Sequence, residues 1–164
     1  MPTINPAIIA AAQAGMAKWR VPASVSLAQF GLESAWGTRT SGKFNYGGIT
    51  AKVEGANFPD DPGKPLEPAT LCPTHEVIHG QTVQCHRWFK DFASVADYFD
   101  HHAQLIATAP VYAPAMAALD GAPTGLARFV TLMGAHYATA PDYAHSIMQL
   151  IQQDGLTRYD AVPK

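Results

Sequence analysis

The segment that follows Pro22 constrains the fold most, because its pattern predicts a helix that carries a single acid. Proline suits the first turn of a helix and glycine suits the position just past its end, so we expect this helix to begin after Pro22 and to stop at Gly37. Helical spacing then places Glu33 on the same face as Phe30 and Trp36. Aromatic neighbours remove water from a carboxyl group and raise its pKa. The sequence therefore predicts either a proton donor at Glu33 or a structural acid at the rim of the core.

Length and charge exclude several classes of protein. The 164 residues are most simply one domain spanning 1–164, long enough to bury about two-thirds of the unfolded surface. With 11 basic and 13 acidic residues, the chain lacks the strong positive charge expected of a nucleic-acid-binding protein. No apolar run is long enough to span a bilayer. The first residues also lack the basic and apolar pattern of a secretory signal, so export would need another route.

Most of the remaining chain has the apolar spacing of helices. Four prolines and two glycines between residues 51 and 71 instead predict a long irregular loop. We assign the apolar stripes of the helices to the core and give them no chemical role. The further helices are predicted at residues 6–18, 94–107, 114–119, 123–134 and 141–154.

Residues 71–88 differ from the helical pattern and predict a β-hairpin. Thr74, Glu76 and Ile78 alternate with His75, Val77 and His79 before Gly80, and Gln81-Thr82-Val83-Gln84 follows it, as expected of two strands around a turn. A turn near residues 78–80 would bring Cys72 and Cys85 roughly opposite each other, which predicts a disulfide and an oxidising compartment. The alternative is a reduced pair, or two unrelated small apolar residues.

The same segment contains the pattern of a zinc protease. His75-Glu76-Val77-Ile78-His79 matches H-E-x-x-H, in which two histidines one helical turn apart bind the metal. Pro73 and Gly80 leave fewer than two helical turns, and a strand would point Glu76 away from both histidines. We therefore expect no metal site here and keep the zinc protease as an alternative.

Several motifs resemble a known family when they are taken together. The family is that of the bacterial peptidoglycan glucosaminidases, glycoside hydrolase family 73, which includes flagellar muramidase-type enzymes and autolysins. The resemblance runs from about Pro22 to Asp160 in the family's order. The matching residues are Ala28-Gln29-x-x-Leu32-Glu33-Ser34-x-Trp36-Gly37, Asn45-x-x-Gly48-Ile49-x-Ala51, Thr74-x-Glu76-x-x-x-Gly80, Trp88-Phe89-x-x-Phe92-x-Ser94, Tyr137-Ala138-Thr139-x-x-x-Tyr143-Ala144 and Leu156-x-x-Tyr159-Asp160.

The resemblance implies a fold and a set of site residues. The expected fold is α+β and lysozyme-like, with a mainly helical lobe, a small hairpin lobe at about 71–88 and a cleft between them. Glu33 would be the general acid, and Glu76 would activate water or stabilise the charge of the transition state. Neither a cofactor nor a metal is implied. The substrate-binding residues would be Tyr137, Trp36, Tyr143, Asn45 and Trp88. Tyr46 and Gly47 depart from the family's usual apolar residue and phenylalanine, which would reshape the floor of the cleft.

The implied function is hydrolysis of the β-1,4 bond that follows N-acetylglucosamine in the glycan strands of peptidoglycan. The protein would act in the periplasm or cell wall, as a secreted antibacterial effector or a phage lysin. A producer at risk of self-digestion would also need an immunity protein that occupies the cleft. Besides the zinc protease, a non-catalytic wall-binding module is the alternative.

Overall fold

The computed structural model describes residues 3–78, 80–120, 125–138 and 140–161, and helices make up about half of them. Helix α2 is the central element, in contact with α1, α3 and α6. No helix among the described residues is both long and apolar enough to cross a bilayer. The helices are α1 Pro6–Trp19, α2 Ala23–Ser34, α3 Val95–Thr108, α4 Ala113–Ala118, α5 Gly125–Tyr137 and α6 Tyr143–Gln153, with short 3-10 helices at Pro110–Tyr112 and Leu156–Tyr159.

The core forms around α2, and every residue of this helix from Ala23 to Gly31 is buried. Burying a large apolar side chain stabilises the fold by about 1.5–3 kcal/mol. The helix before the acid is therefore held rigidly by its packing. Other large side chains of the same core include Phe99, Ile106, Phe129, Met133, Ile147 and Ile151.

The first turn of α2 is capped by a residue from the far end of the chain. Pro22 offers no side-chain cap. Asp160 instead accepts hydrogen bonds of 2.7 Å from both the backbone N–H and the hydroxyl of Ser24. Negative charge is favourable at a helix N-terminus. Burial nevertheless raises the pKa of Asp160, and these hydrogen bonds act against that rise.

The end of α2 differs from the predicted one. The helix stops at Ser34, and Ala35 and Trp36 adopt left-handed backbone angles, with φ of 48° and 58°. The Ser34 hydroxyl donates to the Phe30 carbonyl and accepts from the Gly37 N–H at 2.8 Å, which closes this turn. Glu33 consequently lies at the last turn of the helix, where the chain changes direction.

Strands β3 (Ala69–Ile78) and β4 (Gln81–Lys90) form the predicted hairpin as an antiparallel pair. Ile78 pairs with Gln81, so Cys72 pairs with Arg87, and Thr74 pairs with Cys85. The cysteines are diagonal neighbours at roughly 7–8 Å, beyond the usual reach of a disulfide. Both thiols are free. The predicted disulfide is wrong, and it no longer supports an oxidising compartment.

The segment between residues 51 and 71 is more ordered than predicted. Strands β1 (Val53–Glu54) and β2 (Lys64–Pro65) pair in a second, smaller antiparallel sheet. Trp88 of the hairpin donates from its indole Nε1 to the Gly63 carbonyl at 2.8 Å. This contact fixes Gly63 of the proline-rich segment to the hairpin.

Candidate active site

A groove of about 230 Å³ opens where the last turn of α2 meets the loop that follows it. We call residues 35–50 the groove loop. The loop is anchored to β4, because Lys90 donates to the Ile49 carbonyl and Ala51 donates to the Trp88 carbonyl, each at 2.9 Å. Glu33 is the acid that lines the groove. The other lining residues are Arg39, Thr40, Ser41, Asn45, Tyr46, Gly47 and Gly48.

Glu33 reaches the surface of the groove, while the protein around it displaces water from its carboxyl group. This loss of hydration raises the pKa of Glu33, and a hydrogen bond from Tyr143 acts in the opposite direction. Although Glu33 is an exposed residue, its protonated form therefore persists to higher pH than in a fully hydrated glutamic acid. A proton donor at neutral pH needs this shift.

Tyr143, on α6, connects Glu33 to the core. Tyr143 is 6% exposed. Its hydroxyl bonds to the Glu33 carboxyl group and accepts a hydrogen bond of 3.0 Å from Gln29 Nε2. The ring stacks on Tyr137 with centroids 5.4 Å apart. The structure thus places Tyr143 behind Glu33 with its ring buried, and its predicted contact with substrate stays a prediction.

Tyr137, on α5, is half-buried and lies beneath the groove loop. A Cβ atom built on Gly47 would lie 2.7 Å from the Tyr98 hydroxyl and 3.5 Å from the Tyr137 hydroxyl. Gly47 is thus required for the loop to approach these tyrosines closely. Tyr46 packs edge-on against Phe30 and Tyr98, with ring centroids 5.0 and 5.2 Å apart. The two residues that depart from the family pattern therefore form the floor of the groove.

His102 supports Tyr137 from below. It is 1% exposed, and its Nε2 lies 3.2 Å from the Tyr137 hydroxyl, while its Nδ1 has no partner among the described residues. Burial lowers the pKa of His102 to about 4, so the ring is neutral at physiological pH. Neither the histidine nor its contact was predicted from the sequence.

We expect His102 to carry its single proton on Nε2. A buried N–H without an acceptor is rarer in proteins than a buried acceptor without a donor, so the unpartnered Nδ1 should be the bare nitrogen. Nitrogen-15 NMR of the imidazole should show the Nε2–H form at about pH 7. Detection of the Nδ1–H form or of the imidazolium would contradict this assignment.

Asn45 holds the groove loop in shape. It is fully buried, and its amide donates to the Ile49 and Lys90 carbonyls at 2.8 and 2.9 Å while accepting from the Ile49 N–H at 3.0 Å. Both amide hydrogens are used in these bonds. A sugar could therefore contact the Asn45 amide only as a donor to its Oδ1, and the predicted substrate contact stays a prediction.

The two predicted tryptophans lie away from the lining of the groove. Trp36 folds back over α2, where a Cβ atom on Gly31 would come within 2.7 Å of its ring, and it meets Phe30 edge-on. Trp88 lies on the hairpin face opposite Glu76 and is bound to Gly63. The aromatic residue bonded to Glu33 is therefore Tyr143 and not Trp36.

Glu76 lies on the hairpin face that turns toward the groove loop. On the same face Cys72 contacts the Ser41 carbonyl, with its Sγ at 3.5 Å, and Ser41 lines the groove. Glu76 itself pairs with Arg87 at 3.1 Å, and both side chains are 34% exposed. It does not line the groove around Glu33. The two predicted acids thus lie on neighbouring elements, with Glu33 alone in the groove.

The zinc-protease alternative fails on secondary structure. Residues 75–78 of the motif belong to β3, so His75 and Glu76 point to opposite faces of the hairpin, and His79 lies outside the described residues. The protease pattern needs a helix to bring its two histidines together. Among the described residues, no group of three or more histidine, cysteine or acidic side chains is placed to hold a metal.

Two of the other acids between residues 51 and 71 have structural roles. Glu67 accepts from the Lys52 N–H at 2.9 Å and pairs with Lys90. The hydrogen bond from Lys52 and the contact with Lys90 lower the pKa of Glu67, so it stays ionised. Asp61 closes a turn by accepting from the Gly63 N–H at 2.8 Å.

The raised pKa of Glu33 predicts a stability effect that depends on pH. The folded state favours the protonated acid, so wild-type stability falls as pH rises from the unfolded-state pKa through the folded-state pKa. Glu33→Gln removes this loss and should raise the unfolding temperature at neutral pH, with a gain that shrinks in acid. Calorimetry across pH tests this, with the exposed Glu54→Gln as control. A gain that grows in acid would contradict it.

A mainly helical lobe, a hairpin lobe and one acid in a groove define a lysozyme-like glycoside hydrolase domain. Residues 9–156 match the family described as glucosaminidase, mannosyl-glycoprotein endo-beta-N-acetylglucosaminidase. The chain belongs to this family, so the predicted family and fold class are confirmed.

Relatives of known sequence and structure agree with this assignment. The chain is 29% identical over 154 residues to the peptidoglycan hydrolase FlgJ of Salmonella typhimurium, covering 90% of this chain and 43% of FlgJ. It is 30% identical over 145 residues to a probable N-acetylmuramidase of Lactococcus lactis, covering 84% of this chain and 30% of that protein. The chain thus spans less than half the length of these curated relatives.

Two solved structures show how similar the fold is. The C-terminally truncated glycoside hydrolase domain of Salmonella typhimurium FlgJ has a TM-score of 0.65 and 25% identity, covering 89% of this chain and 91% of that one. The catalytic domain of the autolysin Auto from Listeria monocytogenes has a TM-score of 0.75 and 23% identity, covering 97% of this chain and 89% of that one.

Proposed function

We propose that this domain is an endo-β-N-acetylglucosaminidase that cleaves peptidoglycan at the β-1,4 bond following N-acetylglucosamine. The observation that carries the proposal is the position of Glu33, a partly dehydrated acid in a solvent-accessible groove of a glucosaminidase-family domain. Polar side chains at Arg39, Thr40 and Ser41 give the groove hydrogen-bonding groups suited to a sugar.

The reaction needs one proton and one water molecule. Glu33 gives its proton to the glycosidic oxygen as the bond from that oxygen to the anomeric carbon breaks. The oxygen of a water molecule then bonds to the anomeric carbon, and the proton that it loses returns to a carboxylate. Tyr143 supports this cycle, because its hydroxyl can stabilise Glu33 as a carboxylate after the proton has left.

We assign the second carboxylate role to Glu76. Its hairpin face turns toward the groove loop, and its partly exposed side chain is held by Arg87. A glycan strand that follows the groove past the hairpin would meet this carboxylate. Because Glu76 does not line the groove around Glu33, it would assist the attacking water or the oxocarbenium-like charge from a greater distance.

Product analysis of digested sacculi tests the proposed reaction. Wild-type protein should release fragments that end in reducing N-acetylglucosamine, identified by mass after borohydride reduction, and a metal chelator should not change the yield. Fragments that end in reducing N-acetylmuramic acid would show that the other β-1,4 bond is cleaved. Absence of new reducing ends, with binding to sacculi retained, would show a wall-binding module instead.

The wall is the proposed place of action, and a dedicated inhibitor is the proposed partner. The relatives are named as a peptidoglycan hydrolase and a probable muramidase, and the substrate of such enzymes lies outside the cytoplasmic membrane. As an antibacterial effector or lysin, the protein would be toxic when directed to the periplasm. An immunity protein would then insert into the groove at Glu33. Harmless periplasmic expression, together with no co-purifying inhibitor, would argue against this role.

A further inference from the structure

Gln29 is a buried polar residue to which the catalytic steps above assign no role. It lies one helical turn before Glu33 on α2 and is 1% exposed. Its Nε2 donates to the Tyr143 hydroxyl at 3.0 Å and to Met133 Sδ at 3.7 Å, whereas its Oε1 has no partner among the described residues. Leaving a buried amide oxygen unpaired costs stability, so a compensating role is expected.

The surroundings determine which way the Gln29 amide points. The thioether of Met133 can only accept, so it favours the amino group on its side. With the amide reversed, the carbonyl oxygen would face that sulfur and would compete for the Tyr143 hydrogen. The observed orientation instead gives the Tyr143 oxygen a donor and leaves the Tyr143 hydrogen for Glu33.

We infer that Gln29 is a positioning residue that acts through Tyr143, directing the tyrosine hydroxyl hydrogen onto the Glu33 carboxyl group. The chain of bonds runs in one direction, from the Gln29 amide to the Tyr143 hydroxyl and from there to the acid. Hydrogen bonds in such a chain polarise one another, so the first bond strengthens the second. The effect on turnover rests on the proposed function of Glu33.

Other polar groups also face Glu33, and their charges bear on any pH dependence. Burial raises the pKa values of Tyr98, Tyr137 and Tyr143 above the ordinary tyrosine value, so these three stay uncharged where a glutamic acid titrates. They come from α3, α5 and α6. Burial also raises the pKa of Tyr46, which lines the groove, and the groove loop adds the guanidinium of Arg39. The alkaline limb of the pH profile of activity therefore reports the titration of Glu33 and not that of these tyrosines.

Replacing Gln29 with methionine tests the inference, because it keeps the length of the side chain and removes the donor. The Tyr143 hydroxyl then stabilises the ionised Glu33 less well, so the alkaline limb of the pH profile of kcat should move to higher pH. We expect kcat near the optimum to fall on the order of 10-fold, because the acid is less well oriented, with KM unchanged. Gln13→Met is the matched control, because Gln13 makes a similar amide hydrogen bond, to the Tyr159 carbonyl at 3.1 Å, away from Glu33, and it should leave the limb in place.

A double-mutant cycle separates this role from simple packing. In a Tyr143→Phe background, Gln29→Met should cause no further movement of the limb. An equal movement in both backgrounds, or loss of stability without any movement, would overturn the inference.

Carbon-13 titration of Glu33 in the wild type and in Tyr143→Phe gives a readout that does not depend on turnover. If Gln29→Met does not fold, Gln29→Leu replaces it. If the wild type is inactive on sacculi, the proposed function is rejected. This titration alone then tests the inference. An unchanged Glu33 titration in Tyr143→Phe would then reject the inference by itself.

Discussion

Glu33→Gln is expected to lower the rate of peptidoglycan cleavage by roughly 10³-fold, since general acid catalysis contributes about 10² to 10⁴. Glutamine keeps the shape of the side chain and cannot give up a proton. Release of reducing ends from purified sacculi measures the loss. The folded state should persist, because the change removes the cost of an ionised carboxyl in a partly dehydrated place.

The activity of Glu33→Gln is compared with that of variants at two other acids. Glu54→Gln should retain full activity, because Glu54 is an exposed acid on β1 with only a distant contact to Lys64, at 4.0 Å. Glu76→Gln should cause a large loss that is still smaller than that of Glu33→Gln, since Glu76 lies outside the groove lining. Wild-type rates for Glu33→Gln would remove Glu33 from the mechanism.

Asn45→Ala should lower the free energy of unfolding by about 3 kcal/mol, at about 1 kcal/mol for each of three hydrogen bonds. The substitution leaves the N–H and carbonyl of Ile49 and the carbonyl of Lys90 without their buried partner. The groove loop should loosen with them, so activity should fall even at temperatures where the protein remains folded. Urea denaturation measures the stability and sacculus digestion measures the activity.

Asn57→Ala is the matched control for this prediction. Asn57 is exposed and pairs with Asp61 through its backbone, so removing its side chain should leave stability nearly unchanged. Equal stability of Asn45→Ala and the wild type would show that the buried amide does not hold the groove loop.

Local patterns predicted those parts of the fold that depend on neighbouring residues. The helices start and stop within a few residues of the predicted positions, because apolar spacing, proline and glycine act over one or two turns. The hairpin followed from its alternation. Its register did not, because placing the turn one residue later moves every cross-strand partner by two and separates Cys72 from Cys85.

The surroundings of Glu33 depend on contacts between distant parts of the chain, which spacing along the helix cannot supply. Trp36 was expected beside the acid, but the left-handed backbone after Ser34 turns it onto Gly31 instead. Tyr143 reaches Glu33 from 110 positions later in the sequence. The resemblance to the family drew attention to Tyr143 without indicating that it bonds to the acid.

The contacts of Asp160 and His102 could not be predicted from local sequence patterns either. A cap that comes from the last helical turn of the chain, or a histidine beneath a tyrosine, leaves no periodic signal in the sequence. The motif that includes Asp160 indicated that the residue matters. Its contact with Ser24, at the start of the acid-bearing helix, gives the physical reason.

Carbon-13 NMR of the Glu33 side-chain carboxyl, recorded across pH, tests the central claim most directly. The Glu33 signal should have a midpoint above the ordinary value of 4.5, and this signal should be absent from Glu33→Gln. A midpoint for Glu33 at or below 4.5 would mean that the groove does not keep its acid protonated, and the proposed proton transfer would then have no donor.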